Sequence, residues 1–176
     1  GETYFHQTER LWEDKKLNPC SMLIPGCGRG HEALFFAQRN FDITAVDFTQ
    51  GAVERLEQSL NKRGLQVRVL CSNFFELQPE HNERYDVVLE QTFFCAISPV
   101  DRPRYVETVH RILKPNGRLV ALFYETNEEG GPPFNTTPDQ VQEEFSKHFF
   151  IESLEKTPHS AERRKNKEWL SFLRKI

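Results

Sequence analysis

No stretch of this sequence approaches the ~18 consecutive apolar residues that a membrane-spanning helix needs. Charge of neither sign dominates: 23 basic residues stand against 26 acidic ones, for a formal net charge of -3. Nucleic acid and acidic membrane surfaces therefore have no general electrostatic claim on the chain. The four cysteines, Cys20, Cys27, Cys71 and Cys95, make no CxxC pair and match no zinc-ligand spacing. With no signal peptide in view they read as reduced thiols, so a cytoplasmic protein without a metal is expected. Internal repeats and low-complexity tracts are lacking, and 38% hydrophobic against 28% charged residues excludes a disordered chain. A long exposed apolar stripe that would demand a partner is lacking too. The expectation is one domain over residues 1–176, acting as a monomer on a small molecule.

Phenylalanine is what the sequence has in excess. It contributes 15 residues against 4 Tyr and 2 Trp, and recurs in the pairs Phe35-Phe36, Phe74-Phe75, Phe93-Phe94 and Phe149-Phe150. The rest of the pattern is a short apolar run, a turn and an amphipathic segment, repeated. Strands are expected at Ser21 to Pro25, Ile43 to Val46, Val67 to Leu70, Asp86 to Leu89, Arg118 to Phe123 and Phe149 to Glu155. A seventh, from Trp169 to Ile176, is expected to pair with the sixth as a hairpin. Helices are expected over Arg29 to Arg39, from a Thr49 cap to about Lys62 with Gly64 as the stop, over Asp101 to Leu113, and from the Thr137-Pro138-Asp139-Gln140 capping box to near His148. Alternating strands and helices predict an α/β, Rossmann-like three-layer sandwich: a mostly parallel seven-stranded sheet with an antiparallel C-terminal hairpin. Ligands of such sheets bind beyond the carboxyl ends of the strands, where strand order reverses.

The loop after the first strand is Pro25-Gly26-Cys27-Gly28-Arg29-Gly30. Its glycines let backbone approach a ligand closely. Asp47 closes the second strand 19 residues after Gly28, where an acid can accept both hydroxyls of a ribose. A nicotinamide fingerprint is satisfied only in its looser form, counting from Gly28 to Ala33. The spacing suits S-adenosylmethionine at least as well, since that cofactor needs room for a methionine moiety and no phosphate cradle. After the third strand, Ser72-Asn73-Phe74 offers a polar group for an adenine amine and a ring for its face. Glu90 and Gln91 end the fourth strand, and Glu90 is placed to orient a cofactor amino group or to favour a cationic sulfonium.

Several segments together resemble the thiopurine S-methyltransferase family. They are Gly1-Glu2-Thr3-Tyr4-Phe5-His6-Gln7, Pro25-Gly26-Cys27-Gly28, Phe93-Phe94-Cys95-Ala96-Ile97, Lys114-Pro115-Asn116-Gly117 and Gly131-Pro132-Pro133-Phe134. The resemblance spans nearly the whole chain. The Phe-Phe-Cys-Ala-Ile run, Asp101-Arg102-Pro103 and Pro158-His159 are nearer to its thiol and halide methyltransferase branch. It implies a class I fold using S-adenosylmethionine, with Phe5 beside cofactor and acceptor, Gly26 along the methionine moiety, Asp47 on the ribose, Ser72 and Asn73 on the adenine, and Gln91 in contact with the cofactor. The chain departs from both branches at Glu90-Gln91. The tryptophan-containing segment that precedes Phe-His in the family, part of the lid over the site, is not in this sequence.

Methyl transfer from a sulfonium to a soft nucleophile is an in-line displacement in which opposite charges neutralise. A dry pocket of phenylalanines suits it and no strong general base is required. Phe5, Phe93, Phe94 and Phe134 are the expected pocket. Arg102 and Tyr124 are the expected orienting groups for a thiol, hydrosulfide, thiocyanate or halide acceptor. A nicotinamide-dependent oxidoreductase and a cofactor-binding domain without catalysis are the alternatives.

Overall fold

In the computed structural model, which describes residues 6–176, twelve regular elements follow in chain order. They are α1 (His6–Glu13), β1 (Ser21–Pro25), α2 (His31–Ala37), β2 (Asp42–Asp47), α3 (Gln50–Arg63), β3 (Arg68–Cys71), β4 (Tyr85–Gln91), α4 (Arg102–Ile112), β5 (Leu113–Tyr124), α5 (Pro138–Phe145), β6 (Phe149–Lys156) and β7 (Glu168–Lys175). The strands form one sheet in the order β3-β2-β1-β4-β5-β7-β6. All pairings are parallel except those of β7, which runs antiparallel to both β5 and β6. Strand order reverses at β1, whose neighbours are β2 and β4.

Period-two patterning splits the core over the two faces of the sheet. Val87 and Leu89 of β4 join Met22, Ile24, Ile43, Phe36 and Leu56 under α2 and α3. Val88, between them, joins Leu119, Phe123, Tyr105, Val109 and Phe145 under α4 and α5. The helix expected from Arg29 begins at His31, because Gly30 stands at φ 76° with ψ 20° as its cap. A side chain there would put Cβ 2.4 Å from Leu56 Cδ1, so only glycine lets α2 and α3 close together. α3 stops at Gly64 in the left-handed conformation, and Thr137 and Gln140 form the capping box of α5. Two features differ from expectation. Helix α1 has no counterpart in the sequence reading, and β5 begins at Leu113 because that residue already pairs with Tyr85.

A buried pair at the foot of β4 makes the fold acid-sensitive. His81 is 3% exposed, and its Nδ1 shares a 2.7 Å hydrogen bond with the hydroxyl of Tyr85, the rings lying parallel. Burial pushes the His81 pKa below its ordinary value; Arg84, Arg68 and Arg111 add to the shift and Glu80 opposes it. The unfolded chain takes up that proton at about pH 6.5, the folded chain only below it. This contribution to stability is therefore present above about pH 6.5 and is lost as pH falls through the depressed folded value. The Tm difference between wild type and His81→Gln is expected to shrink as pH drops from 7.5 to 5.5; a constant difference would refute the assignment.

Candidate functional site

The glycine loop leaves β1 at the switch point and borders a crevice of about 510 Å³. That volume lies within the ~300–1,000 Å³ of small-molecule sites. Gly26, Gly28, Arg29, Gly30 and His31 form one side, Leu89, Gln91 and Thr92 at the end of β4 another, and Arg163 and Arg164 face them from the β6–β7 connection. Gly26 stands at φ 58°, and a Cβ there would lie 2.5 Å from Cδ2 of Phe93. The ring of Phe93 thus backs the glycine loop directly, leaving no room for a side chain between them. A larger groove of about 870 Å³ runs past Cys20, Asp86 and Asn116, at the amino ends of the strands and away from the switch point.

Asp47 knits two loops together. Its Oδ2 accepts from the Gly28 amide at 3.1 Å and its Oδ1 from the Thr49 amide at 2.9 Å. Each oxygen keeps a further lone pair for a ligand hydroxyl. Its carbonyl accepts from the Ser72 amide at 3.0 Å, which brings the end of β3 alongside. Asn73 caps the following turn by accepting from the Phe75 amide at 3.0 Å. Phe48, directly after Asp47, is 78% exposed, a large apolar side chain beyond the carboxyl end of β2 that sequence reasoning passed over. From α1, Thr8 donates to Gln91 Oε1 at 3.0 Å and fixes that amide at the crevice.

The structure therefore gathers Gly26, Gly28, Gly30, Asp47, Ser72, Asn73 and Gln91 along one edge. Several other expected residues lie elsewhere. Phe74 is 3% exposed and packs into the core against Phe93 and Tyr105. Phe94 is likewise buried, against Tyr105, Phe123 and Phe145. Phe134 is partly buried, and its amide donates to the Cys95 carbonyl at 2.7 Å, tying the β5–α5 loop to the loop after β4. Phe5 lies outside the described residues.

Arg102 is 1% exposed and points into the protein. It donates to the Asn135 carbonyl and to Thr136 Oγ1, both at 3.0 Å, pairs with Glu144 at 3.5 Å, and lies 4.7 Å over the Phe94 ring. The first turn of α4 aims it at the β5–α5 loop, so it holds that loop and faces no crevice. Tyr124 is covered by Arg164, whose guanidinium lies 4.2 Å over its ring and pairs with Glu168 at 3.5 Å.

Glu90 also departs from expectation. Neighbours on a strand point to opposite faces, and with Gln91 at the crevice Glu90 turns toward α4. It is 1% exposed. Tyr105 donates to Oε1 at 2.7 Å and the Phe93 amide to Oε2 at 3.0 Å, and the Phe94 amide bonds it too. Burial pushes its pKa up to about 7 against the lowering effect of those donors. Next to it Thr92 stands at φ 67°, a conformation costing a β-branched residue about 1–2 kcal/mol.

The basic run Arg163-Arg164-Lys165-Asn166-Lys167 reads in the sequence as a solvated loop before the last strand, whereas Arg163 and Arg164 line the crevice. The signal was topological: β6 runs parallel to the main set, so its exit lies at the carboxyl edge where ligands bind. Cys27 and Cys95 are buried, with thiols pushed up to about 12 and about 11, so neither is a ready thiolate. Among the described residues no group of three or more His, Cys, Asp or Glu comes together to hold a metal, and no helix is long and apolar enough to cross a membrane.

Comparison with known proteins places the chain as a whole. The family model described as thiopurine S-methyltransferase matches residues 2–174. Thiocyanate methyltransferase 1 of Brassica oleracea is 30% identical over 158 residues, covering 88% of this chain and 69% of that protein. Thiopurine S-methyltransferase of Pseudomonas fluorescens is 29% identical over 162 residues, covering 83% and 74%. Among solved structures, a 1,6-didemethyltoxoflavin-N1-methyltransferase of Burkholderia thailandensis with bound S-adenosylhomocysteine superposes with a TM-score of 0.80 at 19% identity, covering 98% of this chain and 78% of that one. TehB from Haemophilus influenzae superposes at 0.75 with 16% identity, covering 96% and 62%. The nicotinamide alternative falls with these matches: the chain belongs to the thiopurine S-methyltransferase family of S-adenosylmethionine-dependent methyltransferases.

Proposed function

We propose that residues 1–176 act as one domain that moves a methyl group to a small soft nucleophile, a thiol, hydrosulfide, thiocyanate or halide, at the crevice beside the glycine loop. The observation that carries the reading is the pairing of Gly26 with the Phe93 ring across from Arg163 and Arg164. This gives an apolar wall for a methionine side chain and a cationic side for an anionic acceptor. The residues fit S-adenosylmethionine: Gly26, Gly28 and Gln91 would take the methionine moiety, the spare lone pairs of Asp47 the ribose, and Ser72 and Asn73 the adenine, with Phe48 as an exposed ring beside it. Bound there, the cofactor supplies an electrophilic methyl on a cationic sulfur.

The protein's own part is to position and to exclude water. A thiol is already a few per cent thiolate near pH 7 and halides need no deprotonation, so no general base is asked of the site. Arg163, beside Arg164 whose charge is shared with Glu168, would supply positive charge near the acceptor, which favours its anionic form. Support for the acceptor class comes from the thiocyanate methyltransferase relative at 30% identity. S-adenosylhomocysteine release, measured across hydrosulfide, an aromatic thiol, thiocyanate and iodide, with an amine and a carboxylate as controls, tests it. Turnover is expected with the soft acceptors; turnover with the amine or carboxylate alone would overturn the class.

A further inference from the structure

Thr92 and Phe93 take left-handed and right-handed helical conformations in succession, at φ 67° and at φ -86°, ψ -48°. Consecutive residues of that kind turn their amides to one side and form a nest for an anion. The anion is internal: the Glu90 carboxylate takes the Phe93 and Phe94 amides, and Tyr105 adds its hydroxyl. Thr92 lines the crevice and Phe93 backs Gly26, yet Glu90 itself lies on the other face of the strand. We propose that Glu90 is a positioning residue for cofactor binding, its carboxylate holding the Thr92–Phe93 turn in the shape that completes the crevice. The inference rests on that crevice being the cofactor site.

A carboxylate accepts from the amides and from Tyr105 at once with full charge, whereas a neutral carboxyl must spend Oε1 on donating to Tyr105 and keeps only the weaker acceptor Oε2 for the amides. Raising the pH through about 7 ionises Glu90. The unliganded fold resists this change. The contribution of Glu90 to stability is full below its ordinary value of 4.5 and declines as pH rises through about 7. Cofactor binding, which needs the formed turn, therefore strengthens over the same interval. The groups facing Glu90 do not titrate there. Tyr105 on α4 is pushed well above the ordinary tyrosine value and Cys95 in the loop up to about 11, both first by burial and then by Glu90. Ala121 is its neighbour on β5, and Arg102 of α4 is engaged with Glu144 and the β5–α5 loop.

Calorimetric titration of the full chain with S-adenosylhomocysteine, and separately with S-adenosylmethionine, from pH 5.5 to 8.5 tests the inference. In wild type both affinities are expected to rise about tenfold across the range, the margin between a charged and a neutral hydrogen-bond acceptor. In Glu90→Gln, which can still accept from the amides and donate to Tyr105, both should stay near the low-pH wild-type affinity throughout. His31 also lines the crevice and cancels from that comparison. Tyr105→Phe removes one donor to the carboxylate and should move the wild-type rise to higher pH, a shift that a merely structural role would not produce. It decides the matter alone should Glu90→Gln not fold. Glu90→Gln affinities equal to wild type at every pH, or lowered equally at every pH, would overturn the inference, as would a response of S-adenosylmethionine alone, which would mark a charge effect on the sulfonium. No binding of either ligand at any pH would overturn it together with the cofactor reading.

Discussion

Arg102→Ala is expected to lower the unfolding free energy by about 3–5 kcal/mol, the loss typical of breaking a buried ion pair from one side. The side chain is 1% exposed, and its guanidinium serves four groups at once: the Asn135 carbonyl, the Thr136 hydroxyl, Glu144 and the face of Phe94. Alanine would leave two acceptors unpaired and a void beside Phe94, and it would free the β5–α5 loop from α4. Glu144 softens the loss because its side chain is 25% exposed and can rehydrate or take up a proton. Burial already raises its pKa against the pull of Arg102. Arg102→Lys, with charge but without the fork, should recover only part of the stability. Urea unfolding reads the difference. A change below about 1 kcal/mol, accompanied by weakened acceptor turnover, would restore Arg102 to the acceptor role that the sequence suggested.

The second large effect concerns the cofactor. Asp47→Ala is expected to weaken S-adenosylhomocysteine binding at least ~100-fold, because two hydrogen bonds to an ionised acceptor contribute about 1.5–3 kcal/mol each. It also leaves the Gly28 and Thr49 amides without their acceptor, so the two loops lose the tie that sets their spacing. Asp47→Asn separates the contributions: an amide nitrogen must then face one of those two backbone donors, so the loop suffers although the volume is kept. Calorimetric titration above pH 7 measures both variants. Asp47→Ala binding within fivefold of wild type would exclude Asp47 from the ribose contact.

The frame of the molecule was legible because its signals are local. Short apolar runs end at Gly or Pro, Gly64 and Thr137 punctuate the helices, and the hairpin of β6 and β7 follows from two adjacent strand patterns. At the site the glycine loop and Asp47 were legible for the same reason: a turn and an acid at a strand end lie where any parallel sheet puts them. What failed was side-chain direction. Glu90 and Gln91 are consecutive on a strand, so their side chains point to opposite faces, a consequence of the twofold period that a reading by loop position ignores. Phe74 and Phe94 were assigned by nearness to strand ends, but each belongs to a pair, and packing with Tyr105 draws it into the core. The burial of Arg102 depends on Asn135 and Glu144, 33 or more residues away, and no local pattern announces it. The glycine loop admitted two cofactors, and family membership rather than the loop separates them.

The place of β7 between β5 and β6 governs the order in which the molecule is finished. During synthesis β6 leaves the ribosome first and has no strand to join, since its sheet partner is β7 and not β5. Until Glu168–Lys175 follows, the long edge of β5 stands open to other chains, a hazard for a nascent protein. The connection that carries Arg163 and Arg164 is drawn into place by the same closing step. The protein thus gains a complete crevice and a protected edge together, when β7 pairs, and a nascent chain stalled before β7 has neither.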